Sequence, residues 1–308
     1  MPLHSIPPQA LSNGLPPSIE QATKWCAYLE AGLILYFPQS PVPVLKADFE
    51  FLSSRQQATG KRRQAIAYNP VRDRLSGFDH RALSAHESER LRAILRRYSA
   101  NAAKFLEGFL APYERRWRLD CASFQRIQEA GRNMPLRRRN DLLHIDAFPA
   151  RPTRGWRILR FFHNLHPAQA CDWVVGEPFP RIVGAFCPAI LATPRGQSRA
   201  ANAARRLAEV TGLADLAPRW MRTPYDRFML RLHNAMKQEA EFQRLCPKES
   251  LQFAPGSSWM LYTETVPHAV QAGQFALEQT LLVDPAATVT PDSAPLALLE
   301  KIADARLA

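Results

Sequence analysis

Leu142-Leu143-His144-Ile145-Asp146-Ala147-Phe148 is a short apolar run carrying one imidazole and one carboxylate two residues apart. In an extended strand, residues i and i+2 point to the same face, so His144 and Asp146 present a nitrogen and an oxygen ligand side by side. A second histidine from far along the chain would complete a two-His-one-carboxylate set that holds Fe(II) and leaves coordination positions open. His268, which follows Val266-Pro267, is the candidate. An H-x-D tripeptide arises by chance in roughly one of every two or three chains of this length, and a strand-end pair bonded to backbone explains it as well. The flanking Leu142, Leu143, Ala147 and Phe148 argue for the metal, because in a buried strand a carboxylate beside an imidazole is costly unless a cation satisfies both.

Upstream, Ser18-Ile19-Glu20-Gln21 reads as a capping box that opens a helix, and Gly32 ends it before the apolar strand Leu33–Phe37. Ser84-Ala85-His86-Glu87 opens a second helix, whose apolar positions Leu91, Ile94, Leu95, Tyr98, Ala102, Phe105 and Leu106 keep helical spacing. Trp117–Ile127 has strand character, and the basic connection 131–140 delivers the chain into the His144 run. Basic Gly60-Lys61-Arg62-Arg63 reads as a solvated loop, with anion binding as the sharper alternative.

Downstream, Trp156–Leu165 alternates so that Trp156, Ile158, Arg160, Phe162 and Asn164 share one face, placing one arginine in an apolar row. Helices are expected over 198–211 and from Thr223-Pro224 to Arg244. The last third reads as strands over 251–254, 259–263, 268–272 and 275–283, with turns at Pro255-Gly256-Ser257 and Gly273-Gln274. His163, His166 and His233 read as structural, and Tyr225, Asp226 and Arg227 as a helix start, with substrate contact the alternative for the last three.

The pattern of helices first and strands after implies an α+β fold: a double-stranded β-helix (jelly roll, cupin-like) core with helices packed outside and a helical insertion at about residues 196–246. Residues 1–17 are Pro-rich and expected to be a flexible N-terminus, with 18–308 a single domain. The 308 residues, 46% hydrophobic, suffice for a sizeable core. The net charge of +12 points to an anionic partner without choosing among nucleic acid, a membrane surface and an acidic small substrate. Five cysteines with no C-x-x-C spacing argue against a zinc ribbon or a disulfide framework. The reading is a cytoplasmic protein, peripheral at most on the inner face of a membrane.

The segments Leu142–Phe148, Arg157–Leu165, Tyr225–His233 and Val266–Thr280 resemble the Kdo hydroxylase family, over roughly residues 18 to 285. The resemblance implies an Fe(II)/2-oxoglutarate-dependent dioxygenase that hydroxylates C3 of the Kdo sugar of Kdo-lipid A and releases succinate and CO2. It implies iron held by His144, Asp146 and His268, dioxygen as co-substrate and ascorbate as a candidate reductant. The expected partner is an anionic glycolipid at the inner membrane, with no nucleic acid and no obligate protein partner. Basic Arg132, Arg137 and Arg138 are candidates for its carboxylates or phosphates. Many members of the wider superfamily place a 2-oxoglutarate-binding arginine about ten residues after the distal histidine, and Ala272–Thr280 contain none. Arg160, with Arg126 as a helper, is the substitute expected here. The alternatives are an oxygenase acting on another anionic substrate such as nucleic acid, or a nonenzymatic jelly-roll binding protein.

Overall fold

The structure, a computed structural model, describes residues 2–14, 16–54, 65–78, 83–125, 134–191 and 221–308. The strands are β1 (Leu3–Ser5), β2 (Ile34–Phe37), β3 (Ala65–Asn69), β4 (Arg74–Ser76), β5 (Trp117–Gln125), β6 (Arg157–Asn164), β7 (Cys171–Gly176), β8 (Lys248–Phe253), β9 (Ser258–Tyr262), β10 (His268–Ala272) and β11 (Ala276–Val283). Eight of them form a large sheet in the order β1-β2-β9-β6-β11-β5-β3-β4, and three form a small sheet in the order β10-β7-β8. All pairings are antiparallel except β1 with β2.

The large sheet has two different faces because its strands alternate. On β6, Leu159 and Phe161 join the core under helices α1 (Ile19–Glu30), α2 (Lys46–Ser54) and α3 (Ala85–Phe109), together with Trp25, Leu29, Leu52, Leu95 and Phe109. Phe162, on the opposite face, packs with Trp173, Val175, Phe253 and Trp259 between the two sheets. This is the jelly-roll arrangement: one face of the large sheet carries helices, and the other meets the small sheet. Each large side chain removed from water here contributes about 1.5–3 kcal/mol. A third cluster joins Ile145 to helices α4 (Phe179–Leu191), α5 (Pro224–Gln238) and α7 (Pro295–Ala303).

The helix starts follow the capping chemistry. Ser84 and Glu87 form a complete capping box, whereas Ser18 makes only the forward half, accepting from Gln21 N at 3.2 Å. Gly32 ends α1 at φ 88°, and Gly273 turns β10 into β11 at φ 131°, where a Cβ would lie 2.7 Å from Cys171 Sγ.

Several expectations need correction. The N-terminal segment expected to be flexible supplies β1, which pairs with Ile34–Tyr36, and then a 3-10 turn over Pro8–Gly14. The helix expected to run from Pro224 to Arg244 breaks at Glu239, whose extended backbone ends α5 and caps the short α6 (Ala240–Leu245). The helix expected over 198–211 and the Gly60-Lys61-Arg62-Arg63 run lie outside the described residues.

His163, on the helical face of β6, meets Ser40 Oγ at 3.3 Å through Nδ1, and burial pushes its imidazole down to about 4. Its protonation lies lower in the folded than in the unfolded chain, so stability falls as pH drops from about 6.5 toward 4. His163→Leu is therefore expected to reduce the loss of unfolding free energy between pH 7 and pH 5 by about 2 kcal/mol. Urea titrations of both proteins at the two pH values measure it, and equal losses would place that pH dependence elsewhere.

Candidate active site

The His144 run is extended but is not a full strand. His144 pairs with His268 in a single antiparallel bridge, with His144 N to His268 O at 3.1 Å and His268 N to His144 O at 2.9 Å. Two residues later the run has left β10, because Asp146 N donates to Thr263 O at 2.9 Å. Asp146 still lies on the side of His144, with Oδ1 3.9 Å from His144 Nε2. One ligand atom from each of His144, Asp146 and His268 lies within 4.8 Å of the others.

Backbone carbonyls orient both imidazoles. His144 Nδ1 is 2.7 Å from Leu142 O, and His268 Nδ1 is 2.9 Å from Val266 O. A carbonyl can only accept, so each Nδ1 carries the proton and each Nε2 keeps a bare lone pair directed into the site. Burial, helped for His144 by the neighbouring His268, holds both histidines below their ordinary pKa. They reach a metal already neutral. Burial alone would raise Asp146, but the Arg160 guanidinium, the two neighbouring imidazoles and a hydrogen bond from Thr263 together outweigh it and hold the carboxyl below the usual carboxylate range.

Trp173 stacks on His268 with ring centroids 5.3 Å apart. His233 packs edge-on against His144 at 5.1 Å and is itself fixed by Nδ1 at 2.6 Å from Ile145 O. Both rings restrict how the ligating imidazoles can rotate. Neither role is visible in sequence spacing, although the alternation Cys171, Trp173, Val175 marks a strand.

Arg160 projects from β6 into the same cavity, of about 180 Å³. Its Nε lies 3.1 Å from Asp146 Oδ2 and its Nη1 3.2 Å from Glu278 Oε2. The first contact is an ion pair without hydrogen-bond alignment, and both Arg160 Nε and Asp146 Oδ2 are buried without a hydrogen-bond partner. Trp259 Nε1, in the same cavity wall, is a third such atom. A buried carboxylate oxygen and two buried donors left without partners suit a site built for a cation beside an anion. The donor set, two neutral imidazoles and a carboxylate, fits Fe(II).

Other expected residues fall elsewhere. Arg126 and Arg132 lie outside the described residues. Arg137 is exposed, while Arg138 lines a second cavity beside the first. Asp226 completes a capping box with Thr223 and also accepts from Thr153 N at 2.8 Å and Arg154 N at 3.0 Å, so it holds a helix start in place. His166 Nδ1 accepts from Gln169 N at 2.9 Å in a turn.

Residues 15–306 match the model of the 3-deoxy-D-manno-oct-2-ulosonic acid (Kdo) hydroxylase family. No curated protein matches the chain. Among solved structures, the Kdo hydroxylase KdoO, described as a non-heme Fe(II) alphaketoglutarate dependent dioxygenase, in complex with cobalt(II) is 30% identical, with a TM-score of 0.83 over 100% of this chain and 97% of that one. The same enzyme with alphaketoglutarate and Fe(III) is 29% identical, with a TM-score of 0.82 over 100% of this chain and 98% of that one. With this coverage by both the family model and the solved structures, the chain belongs to the Kdo hydroxylase family.

Proposed function

We propose that this protein is an Fe(II)/2-oxoglutarate-dependent dioxygenase that hydroxylates C3 of the Kdo sugar in Kdo-lipid A. The observation that carries the reading is the convergence of His144, Asp146 and His268 within 4.8 Å, with both Nε2 lone pairs turned inward. Iron bound there with 2-oxoglutarate and dioxygen supplies an oxidative decarboxylation to succinate and CO2 that delivers the second oxygen atom to a substrate C–H bond.

The chain's own residues position and protect. His144 and His268 offer Nε2, and Asp146 offers a carboxylate oxygen that is charged at neutral pH. Arg160 steadies Asp146 and presents further N–H groups to the distal carboxylate of 2-oxoglutarate. Phe162, Trp173 and Trp259 wall the cavity with apolar surface that keeps bulk water from the reacting centre.

Among the described residues, no helix is long and apolar enough to cross a membrane. We place the enzyme at a cytoplasmic membrane surface by peripheral contact. Val71, 84% exposed at the β3–β4 turn beside Arg72, and Leu136, 46% exposed beside Arg137, set apolar side chains next to basic ones, and Arg72 and Arg138 line the second cavity.

Anaerobic reconstitution with Fe(II), followed by oxygen admission with and without Kdo-lipid A, tests the reaction. Succinate is expected to form in step with a glycolipid one oxygen atom heavier. Succinate without any heavier glycolipid would overturn the substrate, and no iron binding would overturn the enzyme class.

A further inference from the structure

The second cavity, about 920 Å³, adjoins the metal cavity and shares Gln125, Asn140, Arg160 and Glu278 with it. Its floor is the part of the large sheet's inter-sheet face, on β3, β4, β5 and β11, whose lining includes no residue of the small sheet. There the inward positions of the strands carry small side chains: Ala65 and Ala67 on β3, Ser76 on β4, Ser123 on β5 and Thr280 on β11. The alternate positions Ile66, Tyr68 and Phe124 are buried in the helical core. The register aligns the small residues across the sheet, with Ala67 opposite both Ser76 and Ser123. The floor is a trough because those positions lack bulk, and Asn69, Arg74, Gln125 and Glu278 border it on the same strands.

The charge on this trough is one-sided. Arg72, Arg74, Arg138, Arg151 and Arg160 line it against a single carboxylate, Glu278, which is held by Arg160. Arg151 is fixed at the rim by an ion pair to Asp120 and by lying over the Phe148 ring at 4.7 Å. Arg74, on the edge strand, pairs with no acid among the described residues. Several guanidinium groups facing small hydroxylic and methyl side chains suit a sugar ring that carries phosphate, with the forks taking phosphate oxygens and the flat floor taking the ring.

We infer that this trough binds the phosphate-bearing sugar portion of the acceptor glycolipid, and that Arg74 confers selectivity for the phosphorylated form. The inference rests on the proposed function, since it assumes that the reacting sugar enters the metal cavity past Asn140 and Gln125. The trough then holds the next part of the same molecule.

The test uses the full-length protein with Co(II) and 2-oxoglutarate. It is titrated with a deacylated, phosphorylated Kdo-glucosamine oligosaccharide and with the same oligosaccharide after phosphatase treatment. Wild type is expected to bind the phosphorylated form ~10-fold or more tightly, and inorganic phosphate to compete only weakly. Arg74→Glu should erase the preference while leaving 2-oxoglutarate affinity unchanged. Ala67→Phe, which fills the trough from a strand position suited to aromatics, should weaken both oligosaccharides and spare succinate formation without acceptor. No preference in wild type, a preference that survives in Arg74→Glu, or unaltered binding to Ala67→Phe would overturn the assignment. Competition by inorganic phosphate as strong as by the oligosaccharide would overturn the glycolipid as its source. Mass analysis of the wild-type product separates the two readings: an intact phosphate preference without hydroxylation defeats the Kdo reaction and leaves the trough standing.

Discussion

His268→Ala is expected to lose hydroxylation and metal binding together while remaining folded. Two features of the site set the size of the effect. His268 supplies one of three ligand atoms, and the remaining pair, His144 and Asp146, comes from a single short run. Losing a hydrogen bond that merely supports a ligand costs ~10–100-fold in metal affinity, and losing the ligand itself should cost more. The backbone bridge between His144 and His268 does not use the imidazole, so the strand pairing survives the change. Trp173 loses its stacking partner and nothing else. Melting curves give a readout independent of activity: Co(II) at ~100 times its dissociation constant should stabilise wild type by ~2.7 kcal/mol and leave His268→Ala unmoved. His144→Ala and Asp146→Ala should behave alike. Wild-type hydroxylation with stoichiometric iron in His268→Ala would remove His268 from the ligand set.

How the ligand trio could be found in the sequence explains what else could not. His144 and Asp146 share a face in any extended backbone, so the spacing carries the juxtaposition without a full strand, and only one bridge forms there. The long helix from Ala85 was legible because its apolar spacing and its capping box are both local. By contrast β3 and β4 carry small residues, Ala65, Ala67 and Ser76, on the face away from the helices, which weakens the alternation that reveals a strand. β7 alternates buried Cys171, Trp173 and Val175 with the less buried Asp172, Val174 and Gly176 and was legible in principle. The break at Glu239 has no glycine or proline to announce it. The contributions of Trp259, Asn140 and His233 depend on which strands become neighbours, and no local pattern encodes that.

Arg160→Ala is expected to raise the Michaelis constant for 2-oxoglutarate by ~10-fold or more, the scale of one charged hydrogen bond at ~1.5–3 kcal/mol. A guanidinium in an apolar row needs an anion, and an internal pair to Glu278 competes with 2-oxoglutarate for that role. The structure contains that pair, and a second with Asp146, so the anion requirement alone no longer selects 2-oxoglutarate. Geometry does better. A guanidinium has five N–H groups, more than the contacts of Nε to Asp146 and Nη1 to Glu278 use, and Arg160 lines the metal cavity. The two readings then predict opposite signs at Glu278. If Arg160 binds the cosubstrate, Glu278 competes for the same cation and repels the incoming carboxylate, so Glu278→Gln should lower the Michaelis constant while Arg160→Ala raises it. If Arg160 only braces Asp146, both substitutions loosen one cluster and both should weaken metal binding, which the Co(II) absorption spectrum reports directly. An unchanged Michaelis constant in Arg160→Ala with iron still bound would move the cosubstrate anchor to another residue. The same rise in both variants would make Arg160 a brace for the metal ligand alone.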